Sequence, residues 1–175
     1  MGVSGCGKST VAEAIASALG LACIDGDDLH APESVAKMRA GTPLGDDDRW
    51  PWLDRIGARL GGAGAAPAGV VVACSALRRA YRDRLRASAP GVQFVFLDGS
   101  PDLIRARMQA RSGHYMPAGL LDSQLRTLER PTPDEAGVVT VDIDAPTATV
   151  ALRAVAALRR ASGARLSSNI GECKP

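Results

Sequence analysis

The usual signals of membrane, nucleic-acid and metal binding are missing from this chain. No apolar run approaches the ~20 residues of a membrane span, and no charged segment followed by an apolar one marks a signal peptide. The net charge is only +2 and the sequence contains no basic block, which disfavours nucleic acid as a partner. The four cysteines show neither a C-x-x-C pair nor metal-type spacing, so they predict reduced thiols in a cytoplasmic protein.

The composition that remains is that of an ordinary globular protein. Of the 175 residues, 46% are hydrophobic and 23% are charged. This length fits one domain, for which we expect residues 1–161. Residues 162–175 lack an apolar periodicity and are expected to form a disordered tail.

A phosphate-binding loop follows directly after Met1. Residues 2–9 read Gly-Val-Ser-Gly-Cys-Gly-Lys-Ser, a complete G-x-x-x-x-G-K-[ST] pattern. Its glycines let the backbone approach a phosphate, and its amides form an anion nest at the start of a helix. Lys8 is predicted to reach the β- and γ-phosphates of ATP, and Ser9 to bind Mg²⁺. The other residues expected to hold the nucleotide are Gly2, Val3, Ser4, Gly5, Cys6, Gly7 and Thr10.

Short β-branched runs alternate with helical patterns along the chain, which predicts an α/β fold with a parallel sheet. Strands are expected at residues 21–24, 70–74, 92–97 and 138–143. Helices are expected directly after the loop, with a stop at Gly20, and near residues 33–40, 47–61, 77–88, 101–111, 117–129 and 147–161.

The strand that normally leads into a phosphate loop has no residues in this chain. Without it the sheet would lack a central strand, and its two neighbours would keep unpaired backbone groups. Each buried unpaired group costs about 1–3 kcal/mol. We therefore expect the biological protein to start upstream, which the intact mass of the native protein would test.

An acidic segment, Asp25-Gly26-Asp27-Asp28-Leu29-His30, follows the first predicted strand. Because the carboxyl ends of parallel strands face the ligand crevice, Asp25 and Asp27 are expected beside the phosphate loop. A kinase that acts on an alcohol needs one carboxylate to take the hydroxyl proton and another near Mg²⁺. A simple acidic turn is the alternative for the segment alone. His30 could contact a substrate or cap local structure.

Four cations lie where they could reach the crevice. Lys37 and Arg49 belong to the segment that should cover it, although a lone surface cation is usually solvated. Arg107 and Arg111 stand four residues apart on a predicted helix, and they predict a lid near residues 107–120 that closes on the triphosphate. An ordinary exposed helix face explains these two arginines equally well.

Taken together, these residues resemble the gluconokinases, small P-loop kinases that use ATP to phosphorylate D-gluconate at its 6-hydroxyl. The resemblance covers about residues 1–160 and is most specific at residues 46–53, which read Asp-Asp-Asp-Arg-Trp-Pro-Trp-Leu. Further matching segments are residues 1–9, 25–30, 37–38, 41–45, 74–77, 81–83, 111–116, 121–124, 128–131 and 141–144.

The resemblance implies a three-layer, nucleoside-monophosphate-kinase-like fold, with ATP and Mg²⁺ as cofactors and a homodimer in many members. It implies that Asp27 binds the substrate hydroxyl and that Asp25 lies at Mg²⁺. His30, Lys37 and Arg49 become candidates for binding gluconate. The implied catalytic set is Lys8, Asp27 and the lid arginines Arg107 and Arg111.

Two other functions stay open. One is another small-molecule kinase on the same fold, such as a shikimate kinase, although residues 37–53 favour gluconate. The other is a truncated, non-catalytic nucleotide binder.

Cys6 stands where similar proteins commonly carry serine, and a thiol at a helix N-terminus is expected to be reactive. Iodoacetamide is therefore expected to inactivate the enzyme, and ATP to protect it.

Overall fold

The computed structural model describes residues 1–62, 69–110 and 118–169. Within these ranges the strands are β1 Ala22–Asp25, β2 Val70–Ala73, β3 Phe94–Asp98 and β4 Val138–Asp142. The α-helices of the same ranges are α1 Lys8–Leu19, α2 Pro32–Arg39, α3 Asp46–Leu60, α4 Arg79–Ser88, α5 Pro101–Ala110, α6 Ala118–Thr127 and α7 Thr147–Asn169. A short 3-10 helix, Gly26–Leu29, follows β1.

The predicted α/β organisation is confirmed, and each strand lies within two residues of its predicted bounds. The predicted helix stop at Gly20 is also confirmed. This glycine has a φ of 67°, and its N–H donates to the carbonyl oxygens of Ala16 and Ser17. The left-handed conformation is one that glycine adopts without a steric penalty.

The helix α7 continues to Asn169, beyond the expected helix end near residue 161, whereas the expected disordered tail stays a prediction. Residues 162–169 contain alanine, arginine and leucine, which favour a helix, and they contain no proline. Residues 170–175, the rest of the predicted tail, lie outside the described residues.

The strands form two parallel pairs, β1 with β2 and β3 with β4. Met1 and Gly2 lie between the pairs and connect them. The Met1 amine donates to the carbonyl oxygen of Val95 at 2.5 Å, and the Met1 carbonyl accepts from Leu97 N at 3.0 Å. On the other side, Gly2 N donates to Ser75 O at 3.1 Å. The phosphate loop therefore begins at the carboxyl ends of β2 and β3.

Helices cover both faces of the strands, so the described residues form the three layers that the resemblance implies. On one face, α1 and α7 pack on a core that includes Val11, Leu97 and Val150. On the other face, α3 and α4 pack on a core that includes Ile56 and Leu85. Within the described ranges, no helix combines the length and the apolar character that crossing a membrane requires.

Candidate active site

The phosphate loop has the backbone shape that a bound phosphate requires. Gly5 and Gly7 have φ values of 83° and 91°, and Gly7 caps the N-terminus of α1. A Cβ atom on Gly5 would lie 2.5 Å from the Cγ atom of Met108, so α5 packs directly against the loop. Gln124 of α6 accepts a hydrogen bond from Ser4 N at 2.7 Å. Two helices therefore hold the loop in a form that fits a nucleotide phosphate.

The side chains of the loop have partners that a nucleotide could replace. Lys8 Nζ donates to the carbonyl oxygen of Val3 at 3.0 Å, so its ammonium folds back over the loop. Thr10 is exposed in the first turn of α1. Because this hydrogen bond is the one side-chain contact that the described residues give Lys8 Nζ, the predicted contact with the β- and γ-phosphates is compatible with this arrangement.

Ser9 and Asp25 meet at the mouth of the loop, as the strand-end argument predicts. Ser9 Oγ donates to Asp25 Oδ2 at 3.0 Å, and Asp25 Oδ1 accepts from Asp27 N at 3.0 Å. The described residues contain no group of three or more His, Cys, Asp and Glu side chains arranged to hold a metal ion. Mg²⁺ in nucleotide sites usually needs only one or two protein ligands, with phosphate and water completing the octahedron. The Ser9–Asp25 pair fits that requirement.

Asp27 projects from the 3-10 helix into the crevice, and 71% of its side chain is exposed. Desolvation raises the pKa of its carboxyl, as do the nearby charges of Asp25 and Asp28, while Lys8 acts in the opposite direction. With so much of the side chain in water, the carboxylate stays ionised near neutral pH. It can therefore accept a proton.

His30 lies beneath Asp27 and is locked in place by Trp52. The two rings stack with centroids 4.4 Å apart and planes 9° apart, and Trp52 Nε1 donates to Gly26 O at 2.7 Å. Burial lowers the pKa of His30 to about 4, helped by the charges of Arg49 and Arg55, so the imidazole is neutral at pH 7. Its Nδ1 atom is buried and has no hydrogen-bond partner among the described residues.

The two cations of the covering segment differ in availability. Lys37 Nζ pairs with Asp48 Oδ1 at 2.6 Å, and this hydrogen bond lowers the pKa of Asp48. Arg49 donates through Nε to Leu44 O at 3.3 Å, and its Cζ atom lies 5.7 Å from the centre of the Tyr81 ring. The terminal nitrogens of Arg49 make no hydrogen bond within the described residues. Arg49 is therefore the freer anion-binding group.

Comparisons with known proteins show which family this chain is similar to. The family model described as an AAA domain matches residues 1–131. The thermosensitive gluconokinase of Escherichia coli strain K12 is 45% identical, and the match covers 82% of this chain and 77% of that protein. The gluconokinase of Gluconobacter oxydans strain 621H is 49% identical over 77% of this chain and 76% of that protein. A gluconokinase crystal structure from Sinorhizobium meliloti 1021 superposes with a TM-score of 0.87 at 52% identity, covering 96% and 94% of the two chains.

The chain belongs to the gluconokinase family. The recognition and the fold class that the sequence predicts are thereby confirmed, including the parallel α/β P-loop kinase fold.

Sequence reasoning about this gluconokinase-family chain missed Arg78. Its guanidinium donates to both carboxylate oxygens of Asp46, at 3.1 and 2.8 Å, and Tyr81 Oη donates to the same carboxylate. Burial and this hydrogen bond raise the pKa of Tyr81 to about 12. The Cζ atom of Arg78 lies 5.8 Å from the Tyr81 ring centre, so Arg78 and Arg49 approach the same ring. The position of Arg78, just after the carboxyl end of β2, was the available signal.

The lid arginines are only partly described. Arg107 donates to Ile143 O at 2.6 Å and to Ala145 O at 2.9 Å, so it connects α5 to the segment after β4. Arg111 and residues 111–117 of the predicted lid lie outside the described residues. The contacts of both arginines with the triphosphate stay predictions.

The expectation that iodoacetamide reaches Cys6 is wrong for the folded protein. The side chain of Cys6 is 1% exposed and packs in the same core as Val11 and Leu97. A thiol at a helix N-terminus reacts with an alkylating reagent only where the reagent can approach the sulfur. Cys23 is the exposed thiol among the described residues, and its partial desolvation raises its pKa.

Proposed function

We propose that this chain is a gluconokinase that transfers the γ-phosphoryl group of ATP to the 6-hydroxyl of D-gluconate. The observation that carries the proposal is the double hydrogen bond to Asp25, from Ser9 Oγ and from Asp27 N. It links the phosphate loop to the acidic turn, so that the donor and the acceptor of the phosphoryl group would meet at one place. The family relatives named gluconokinases support the same reaction.

The loop would bind the triphosphate through backbone amides and the Lys8 ammonium. Ser9 and Asp25 would hold Mg²⁺, directly or through water, and the ion would neutralise charge on the β- and γ-phosphates. Arg107 is a further candidate for neutralising the phosphate charge, once its guanidinium leaves the two carbonyl oxygens that it now contacts. Arg111 is the second candidate from the predicted lid.

Asp27 would receive the proton of the attacking hydroxyl. The 6-oxygen of gluconate forms a bond to the γ-phosphorus while the bond from that phosphorus to the β–γ bridging oxygen breaks, and ADP leaves. The hydroxyl proton moves to Asp27 Oδ. Its carboxylate is ionised and exposed toward the crevice, which suits this role.

The carboxylate of gluconate would bind Arg49, whose planar fork matches it in geometry and charge. The neutral imidazole of His30 offers an unpartnered Nδ1 for a sugar hydroxyl. Lys37 could also bind gluconate only if its ammonium kept Asp48 as one of two partners or gave up its hydrogen bond to Asp48. Gluconate is the small-molecule partner in this proposal, and the homodimer stays a prediction of the resemblance.

A coupled ADP-release assay tests the proposed function. With ATP and Mg²⁺ present, we expect turnover of gluconate well above that of shikimate and of other sugar acids. Preferred turnover of shikimate would favour the other kinase assignment. Nucleotide binding without turnover of any acceptor would favour the non-catalytic binder.

Replacing Arg49 with glutamine should weaken gluconate binding. Charge-assisted hydrogen bonds contribute about 1.5–3 kcal/mol, which corresponds to a rise of roughly 10- to 100-fold in KM for gluconate. The KM for ATP should change little. Steady-state kinetics with each substrate varied in turn measures the difference.

Arg55→Gln is the matched control for this variant. Arg55 also lies on α3 and also donates to a backbone carbonyl, that of Leu29 at 2.6 Å. We expect nearly unchanged kinetics for it. The assignment of Arg49 to the gluconate carboxylate would be contradicted if Arg49→Gln raised the KM for ATP as much as the KM for gluconate. It would also be contradicted if Arg55→Gln raised the KM for gluconate as much as Arg49→Gln does.

A further inference from the structure

One peptide group of the phosphate loop, that between Val3 and Ser4, is bound at both of its ends. Its carbonyl oxygen, Val3 O, accepts from Lys8 Nζ at 3.0 Å and from Cys6 N at 3.4 Å. Its amide, Ser4 N, donates to Oε1 of Gln124 at 2.7 Å. The C=O and N–H bonds of a trans peptide point in opposite directions, so Lys8 and Gln124 hold one rigid plane from its two sides.

Gln124 holds this peptide from a helix that is itself tied to the rest of the fold. Glu129 follows α6, and its backbone N–H donates to Leu77 O at 2.9 Å. The Glu129 carboxylate accepts from Arg79 N at 2.7 Å, at the start of α4. The C-terminal end of α6 is thus fixed to the segment between β2 and α4. A supported helix therefore places the carboxamide of Gln124.

The orientation of this peptide plane bears directly on Lys8. The ammonium has three donors and Val3 O uses one of them, which leaves two for phosphate oxygens. Without Gln124, the Ser4 N–H would lose its partner and the plane would be free to rotate, which would take Val3 O away from Lys8 Nζ. An ammonium that is restrained before the nucleotide arrives needs less ordering during phosphoryl transfer.

We propose that Gln124 is a positioning residue for phosphoryl transfer, which acts on Lys8 through the Val3–Ser4 peptide group. The carboxamide oxygen fixes the peptide plane, and Val3 O then restrains the ammonium that would meet the β- and γ-phosphates. This role rests on the proposed function where turnover is measured. Nucleotide binding reports the same role whichever acceptor the kinase uses.

Two substitutions separate the acceptor oxygen of Gln124 from the rest of its side chain. Gln124→Met keeps the length but removes the acceptor, so kcat should fall by roughly 10- to 100-fold and the KM for ATP should rise. The KM for gluconate should change little. Gln124→Glu keeps an oxygen for Ser4 N, so its kcat should remain near that of the unchanged protein. Saturating ATP is used for this comparison, because the added negative charge opposes nucleotide binding.

Gln109→Met is the matched control for Gln124→Met. Gln109 is exposed on α5, the other helix that packs on the phosphate loop, and its side chain makes no hydrogen bond within the described residues. Its kinetics should be nearly unchanged. The thermal midpoint of each variant is measured in parallel. If Gln124→Met does not fold, Gln124→Ala takes its place, since alanine favours a helix.

A double-mutant cycle tests whether Gln124 acts through Lys8. Calorimetry measures the dissociation constant of the β,γ-imido analogue of ATP in the unchanged protein, in Lys8→Met, in Gln124→Met and in the double variant. We expect Gln124→Met to weaken binding where Lys8 is present and to add little where Lys8 is already replaced. This measurement needs no phosphoryl acceptor.

Four results would overturn the positioning role. One is kinetics of Gln124→Met equal to those of Gln109→Met. Another is an equal loss of kcat in Gln124→Met and Gln124→Glu, which would assign the effect to the amide nitrogen. The third is an equal rise in the KM values for ATP and gluconate, and the fourth is fully additive losses in the cycle with Lys8. An unchanged protein that turns over no gluconate would contradict the proposed function, while the cycle would still decide the role of Gln124.

Discussion

Asp27→Asn should lower kcat for gluconate phosphorylation by roughly 10²- to 10⁴-fold, the usual contribution of a positioned acid–base group. The asparagine keeps the size of the side chain but cannot take the hydroxyl proton. Because Ser9 and Asp25 remain in place, the KM for ATP should change little. The measurement is steady-state kinetics of the purified variant with saturating ATP and Mg²⁺.

The pH profile separates proton transfer from a structural role for Asp27. Partial desolvation raises the pKa of this carboxyl above its ordinary value of 3.8, so protonation removes the base as the pH falls. The kcat/KM of the unchanged protein should therefore decline on the acid side, and the residual activity of Asp27→Asn should lack that decline. Asp28→Asn, an equal charge change on the same exposed turn, is the control. A similar loss in both variants would refute the role of Asp27.

The parts of the site that the sequence predicted are those fixed by local rules. The loop pattern specifies glycines, an amide nest and a helix start within nine residues, and α1 begins at Lys8. The position of Asp25 beside Ser9 follows from parallel-strand topology, since both lie at carboxyl ends facing one crevice. These features need little knowledge of distant packing.

The features that were missed depend on contacts between distant segments. The stacking of His30 on Trp52 joins the acidic turn to α3, and no periodicity marks it. The same holds for Ser4 and Gln124, which are 120 residues apart. Cys6 was misjudged because the loop pattern does not tell which of its side chains turn toward the core. Nor does any local pattern mark Arg82 of α4, which is 1% exposed.

Arg82 forms the most deeply buried ion pair of the described residues, with Glu135. Both side chains are 1% exposed, and two hydrogen bonds of 2.7 and 2.5 Å join them. Arg82 Nη1 also donates to the carbonyl oxygens of Ala76 and Leu77, each at 3.2 Å. Ala76 has a φ of 42°, which is rare for a residue with a Cβ atom. The pair thus holds the bend between β2 and Arg78.

Arg82→Met should destabilise the protein by about 3–5 kcal/mol, because it leaves the Glu135 carboxylate buried without its main partner. At roughly 2–4 °C per kcal/mol for a chain of this size, the thermal midpoint should fall by about 6–20 °C. Arg84→Met, on the same helix but in the exposed pair with Asp54, should cost only about 0–1 kcal/mol. Equal losses in the two variants, measured by calorimetry or denaturant unfolding, would contradict the buried-pair account.

The pH dependence of the stability difference between the unchanged protein and Arg82→Met gives a second check of the buried-pair account. The hydrogen bonds from Arg82, and then that from Arg86, lower the pKa of Glu135 from 4.5 to about 2. A carboxyl with a lowered folded-state pKa contributes stability that is complete above about pH 4.5 and is lost as the pH falls toward 2. The gap in stability between the unchanged protein and Arg82→Met should therefore narrow across that window. Adding Glu135→Leu to Arg82→Met should recover much of the loss at neutral pH, because no buried charge then remains unpaired.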